Sequence, residues 1–160
     1  MKKLKLYIET STWNFVFADD APEKMAITKE FFDLVSKGAY EIYASEVVEA
    51  EINRAPANIK AKLVGLINKH KPVILDLTGE AESLADAYME QGIIPDKKAE
   101  DALHVAIATL EELDAVVTWN YKHLANIRKS ELFYSVNLSR GFHKKVEIIT
   151  PWEVIGYVED

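Results

Sequence analysis

Short apolar runs alternate along this chain with longer stretches of helical periodicity. Leu4 to Ile8 reads as a strand closed by Glu9-Thr10-Ser11. Met25 to Lys37 carries Ile27, Phe31, Leu34 and Val35 at helical spacing, and Gly38 stops it. Tyr40 to Ala44 is a second strand. Ser45 then suits an N-cap for a helix bearing Val47, Val48 and Ile52. Asn58 to His70 is amphipathic, with Ile59, Leu63, Leu66 and Ile67 on one face. Pro72 to Leu77 predicts a third strand, Thr78 caps a helix to about Gln91, and Gly92 and Pro95 break the chain. Lys98 to Leu113 is the clearest helix, Ala115 to Trp119 a fourth strand and Val146 to Thr150 a fifth. Strands that alternate with helices imply an α/β fold: a central parallel sheet with helices on both faces and strand one in the middle.

At 160 residues the chain has the length of one ordinary domain, taken as 1–160. No repeat, low-complexity tract or linker divides it. The apolar run within Met1 to Ile8 is too short for a signal peptide or a membrane span, so the expected location is cytoplasmic, with no membrane partner. There is no cysteine, which excludes disulfides, thiolate metal sites and cysteine nucleophiles. A bound metal would have to rely on oxygen or imidazole ligands, and acids far outnumber the four histidines. Hard cations follow from that inventory. The net charge of −7 does not by itself announce a nucleic-acid binder.

In open parallel sheets, ligands bind beyond the carboxyl ends of the strands. Glu9 directly follows strand one, and Asn120 ends strand four. Each alone is as well explained by a solvated acid or a turn residue. Glu51 lies on the helix after strand two, among other acids. Asp101 opens a helix that is apolar nearly all round, where it complements the helix dipole or binds a ligand. His104, one turn on, suits a packed and hydrogen-bonded core position better than a ligand position. Carboxylates pressed together repel unless a cation neutralises them, and a divalent metal would also serve phosphodiester hydrolysis.

Four segments, in order, give the chain its resemblance. Leu6-Tyr7-Ile8-Glu9-Thr10-Ser11, Ser45 to Ile52 with its acid at Glu51, Glu100 to Ala106 with its acid at Asp101, and Val116 to Leu124 around Asn120 together resemble the PIN domain, in its VapC-like toxin branch. Val136-Asn137, Gly141-Phe142 and Ile149-Thr150-Pro151 resemble that branch's closing segment. The resemblance implies a three-layer PIN-like fold. It also implies a hydrolytic endoribonuclease that uses Mg²⁺ or Mn²⁺ held by Glu9, Glu51 and Asp101, with Asn120 as the fourth catalytic position. An RNA substrate follows, and for toxin members an antitoxin protein that blocks the site.

Two departures stand out. Glu9 occupies a position where Asp is usual, and Asn120 offers an amide where a fourth acid is usual. An alternative reading is therefore a PIN-like module that binds RNA or protein without cutting. A phosphoacceptor signalling domain and a phosphatase with a nucleophilic Asp fit poorly. The chain has one acid after strand one and no Asp-x-Asp motif there.

From Asn120 to Lys145 the charge reverses. Lys122, Arg128, Lys129, Arg140, Lys144 and Lys145 stand against Glu131 alone, interleaved with Tyr121, Phe133, Tyr134 and Phe142. That pattern suits either a solvated surface over core aromatics or an RNA-guiding flank. On the second reading Lys122, Arg128, Arg140, Lys144 and Lys145 contact RNA. Trp13, Phe15 and Phe17 suit core packing or, alternatively, a partner surface such as that of a homodimer.

Overall fold

A computed structural model describes residues 2–157. Met1, where the N-terminal run begins, lies outside them. Five parallel strands form one sheet: β1 (Leu4–Ile8), β2 (Tyr40–Ser45), β3 (Val73–Leu75), β4 (Ala115–Val117) and β5 (Glu147–Ile149), in the order β3-β2-β1-β4-β5. The central strand is β1, as the alternation of elements predicts. Its last three residues, Leu6, Tyr7 and Ile8, are wholly buried. Successive strand residues face opposite sides, so both faces of the sheet are covered. Edge strand β3 is shorter than the predicted Pro72–Leu77, and Val73 and Ile74 remain exposed.

The expected helices are present, with Ser45 and Thr78 capping two of them where the sequence places them, but the helix expected from Met25 begins three residues earlier. Pro22 opens α2 (Pro22–Ser36), and Gly38, with φ of +80°, turns the chain into β2. Ser45 accepts from the amides of Val47 and Val48 at the head of α3 (Glu46–Asn53), and α4 (Ala57–His70) follows. Thr78 caps α5 (Gly79–Glu90). A single 3₁₀ turn at Asp96–Lys98 leads into α6 (Ala99–Leu110), whose segment His104–Thr109 is entirely buried.

Three helices lie where the periodicity marked none. The first, α1 (Thr10–Phe15), is about 1.7 turns long and is capped by Glu9 itself. The second, α7 (Ile127–Ser139), fills the basic segment and buries little beyond Phe133 and Asn137. The third, α8 (Pro151–Ile155), starts in a capping box between Thr150 and Glu153. Among the described residues no helix is long and apolar enough to cross a membrane.

Candidate active site

All the strands run the same way, so β1 and β4 deliver Glu9 and Asn120 to the same end of the sheet. Glu9 caps α1 and is only 4% exposed. Its Oε1 accepts from Ser11 N–H at 3.0 Å, from the Ser11 hydroxyl, and from Thr118 Oγ1 at 2.7 Å. Ser11 Oγ is held in turn by Trp119 N–H at 2.9 Å. One carboxylate oxygen thus ties the end of β1 to the end of β4.

Glu51, half-buried on α3, is fixed from two sides. Thr10 Oγ1 donates to its Oε1 at 2.7 Å, and His104 Nε2 lies 2.6 Å from the same oxygen. The wiring behind His104 has a definite direction. Ser45 Oγ already accepts two backbone N–H groups, so its own hydrogen points to Tyr7 Oη, 2.7 Å away. Tyr7 then donates to His104 Nδ1 at 2.6 Å, which leaves the ring proton on Nε2 for Glu51. Burial opposes charge on this ring, while Glu51, Glu9 and Asp101 favour it and move its pKa upward. A second proton on Nδ1 would nonetheless leave the Tyr7 hydroxyl hydrogen without an acceptor. The packed, hydrogen-bonded reading of His104 describes its surroundings. Its bond to Glu51, and the parts of Tyr7, Thr10, Ser11 and Thr118, were not legible from periodicity.

Asp101 sits in the first turn of α6, half-buried. Burial, then the carboxylate of Glu9, raise its pKa to about 6, with Glu51 adding to the rise and His104 and Lys98 opposing it. Asn120 Nδ2 donates to Asp101 Oδ2 at 3.3 Å, and its Oδ1 accepts from His123 N–H. The amide thus stabilises the neighbouring acid where a fourth carboxylate would repel it. Glu51 shows the opposite shift. Burial raises its pKa, but the bonds from His104 and Thr10 bring it below the ordinary range.

Each acid therefore has one oxygen engaged. Among the described residues no hydrogen bond reaches Glu9 Oε2, Glu51 Oε2 or Asp101 Oδ1. Among the described residues, too, no three histidine, aspartate or glutamate side chains stand drawn together as a ready metal cage. By chemistry, oxygen donors with surplus negative charge and no thiolate suit Mg²⁺ or Mn²⁺.

The basic residues divide into separate groups. Lys122 is exposed beside Asn120, and Arg128 is exposed in the first turn of α7. Burial lowers the pKa of His123, and so does the charge of Lys122, Lys98, Lys129 and Lys97 around it. Lys97 and Lys98 reach this rim from the turn before α6, a position the charge count along the chain does not reveal. Arg140 caps the far end of α7, about 20 Å along the helix from Ile127. Lys144 pairs with Asp114 at 2.8 Å, and Asp114 also accepts from Lys5 N–H at the amino end of β1. Lys145 reaches Glu131 at 3.3 Å. Lys144 thus lies at the pole opposite the carboxylates, and the segment does not form one flank beside Asn120. Trp13 is wholly buried and packs in the core, while Phe15 and Phe17 are half-buried.

No protein-family model matches the sequence, and no curated protein is similar enough in sequence to stand as a relative. In three dimensions the chain is similar to one in the crystal structure of VapBC2 from Rickettsia felis bound to a DNA fragment from their promoter. Identity is 16% and the TM-score 0.51, over 91% of this chain and 98% of that one. At that identity the likeness is one of fold. With its five-stranded parallel sheet and helices on both faces, the chain has a three-layer, PIN-like α/β fold.

Proposed function

We propose that this protein is a metal-dependent endoribonuclease, the toxin of a toxin–antitoxin pair, acting in the cytoplasm as one domain over residues 1–160. The observation that carries the reading is the bonding at the carboxyl end of the sheet, where Thr118 and Asn120, at the end of β4, hold Glu9 and Asp101, and His104 on the Asp101 helix holds Glu51. Burial and the carboxylates of Glu9 and Glu51 raise the Asp101 pKa to about 6. A cation among the three acids would relieve that repulsion. Glu9, Glu51 and Asp101 would hold Mg²⁺ or Mn²⁺, with Asn120 beside them. Bound there, a divalent ion would lower the pKa of a water and absorb charge on the phosphate under attack. The chain's own part is orientation. Ser11 and Thr118 aim Glu9, while Thr10 and His104 aim Glu51. Lys98 and Lys122 supply positive charge where an RNA backbone would pass. The structure similar in fold is of a VapBC2 assembly, which supports an antitoxin protein as the partner that blocks this end.

The test is cleavage of a panel of single-stranded and structured RNAs by the full chain. Cleavage should require Mg²⁺ or Mn²⁺, stop with a chelator, and fall on the order of 100-fold in Asp101→Asn, the scale of several kcal/mol of metal-borne stabilisation. Equal activity in wild type and mutant from one purification scheme would point to a contaminant. The non-catalytic binding module, which the amide at Asn120 favours, would then be the better reading.

A further inference from the structure

Beside the carboxylates lies a second arrangement that the proposed chemistry does not use. The ammonium of Lys24, on α2, sits among three aromatic rings. Its Nζ is 5.6 Å from the ring centroid of Phe15, 5.5 Å from Trp119 and 5.2 Å from Tyr121. All three distances are within cation–π range. The floor is firm. Trp119 is buried and donates its indole N–H to Thr28 Oγ1 at 2.9 Å, and Thr28 is itself bonded to the Lys24 carbonyl. Phe15 and Tyr121 meet Trp119 with centroids at 5.9 and 6.2 Å.

Two features of this cage are unfinished. Among the described residues no carboxylate pairs with Lys24 Nζ, and no carbonyl or hydroxyl accepts from it. The lysine is half-buried and its ammonium meets only π faces, so its charge is free to take an anion. Tyr121 holds one edge of the cage, yet the residue is 49% exposed. Burial, then the charge of Glu153, raise the Tyr121 pKa, and Glu153 Oε1 is itself committed to Thr150 in the capping box. Tyr121 directly follows Asn120, so the cage adjoins the acids without sharing a residue with them.

We infer that Lys24 and Tyr121 form a nucleotide subsite for single-stranded RNA, with a backbone phosphate on the Lys24 ammonium and an unpaired base stacked on the Tyr121 ring. An aromatic face beside a cation is the recurrent way to hold single strands, because every base offers a π face and every linkage a negative charge. A paired base keeps its faces inside the helix and cannot use the ring. The subsite thereby selects unpaired RNA and sets one nucleotide beside the cleavage point. This inference rests on the nuclease reading of the neighbouring acids.

The test uses the full chain and a labelled single-stranded RNA of about eight nucleotides, with chelator present so that binding is read without cleavage. Tyr121→Ala should weaken binding about tenfold, the scale of one lost base stack, and Tyr121→Phe should restore it. An abasic version of the same oligonucleotide should bind wild type and Tyr121→Ala alike. Lys24→Met keeps the bulk, removes the charge, and should lower the slope of log affinity against log salt by about 0.7. Thermal melts of each variant separate loss of the subsite from loss of the fold. Equal affinity of Tyr121→Ala and wild type for the intact oligonucleotide overturns the inference. So does an equal loss on intact and abasic strands. A wild type that cleaves RNA with Mn²⁺ but shows no dependence on Tyr121 overturns the subsite and leaves the nuclease reading. A wild type that never cleaves, yet grips single strands through Tyr121 and Lys24, overturns the nuclease reading and leaves the subsite.

Discussion

His104 Nε2 lies 2.6 Å from Glu51 Oε1, and the imidazole that makes this bond is wholly buried. Behind it, Tyr7 and Ser45 leave the ring one proton arrangement that satisfies every hydrogen. We therefore predict that His104→Leu loosens Glu51 without touching the other acids. Mn²⁺ affinity, measured by calorimetry, should fall at least tenfold, as when an outer partner of a metal ligand is removed. His104→Gln, which can still present an N–H to Glu51, should recover part of it. Equal affinity in all three proteins would make the histidine a core residue only.

Asp101 gives a pH dependence with a definite sign. Its pKa in the folded chain, about 6, lies above its ordinary value of 3.8. Between those values the folded state holds more of the proton than the unfolded state does, so stability contributed by this group falls as pH rises through the window. With chelator present, Asp101→Asn should unfold at a higher temperature than wild type at about pH 7, and the gap should close towards about pH 4. Saturating Mn²⁺ should reverse the order at neutral pH, because only wild type keeps the third charge. A gap independent of pH would mean that Asp101 is not strained by its neighbours.

Asn120→Asp should move stability and metal affinity in opposite directions. The change removes the amide donor to Asp101 Oδ2 and adds a fourth negative charge. Without metal the melting temperature should drop. With metal, affinity for Mn²⁺ should rise, since site charge raises cation affinity. A mutant with unchanged affinity would place Asn120 outside the site.

Lys144 and Lys98 should behave differently in RNA binding. Lys144 is tied to Asp114 at the amino end of the sheet. Lys98 lies close enough to Asp101 to oppose the rise in its pKa. Lys98→Ala and Lys122→Ala should each cut the salt slope of single-strand binding by about 0.7, one phosphate contact apiece. Lys144→Ala should leave the slope as it was. The reverse pattern would move the RNA path to the opposite pole.

The framework was readable because its signals are local. The apolar runs at Leu4–Ile8 and Ala115–Val117, the caps at Ser45 and Thr78, and the stop at Gly38 each act within a few residues. The short helix α1 was hidden because its cap is Glu9, which is not among the usual capping residues. For α8 a signal was present, since Thr150-Pro151-Trp152-Glu153 is a capping-box pattern. The long helix α7 gave none, because its few buried side chains do not make a stripe. At the site, the acids follow from their places after β1 and at the head of α6. The bonds of Thr118 to Glu9 and of His104 to Glu51 join residues 109 and 53 positions apart. No window along the chain brings such partners together.

That separation bears on how the protein is born. As the chain leaves the ribosome, β1 can pair with β2 once about forty-five residues are out, but β4 follows only after residue 117. Until then one edge of the central strand stands open, Glu9 lacks Thr118, and Asp101 lacks Asn120. Domains emerge at about 5–20 residues per second, so seconds pass between the first acid and the last of its partners. A polypeptide cut short before β4 would carry Glu9, Glu51 and Asp101 and still lack Thr118 and Asn120, which hold two of them. The strand order thus makes the candidate site one of the last parts of the sheet to be assembled, because Glu9 and Asp101 find Thr118 and Asn120 only once β4 has joined β1.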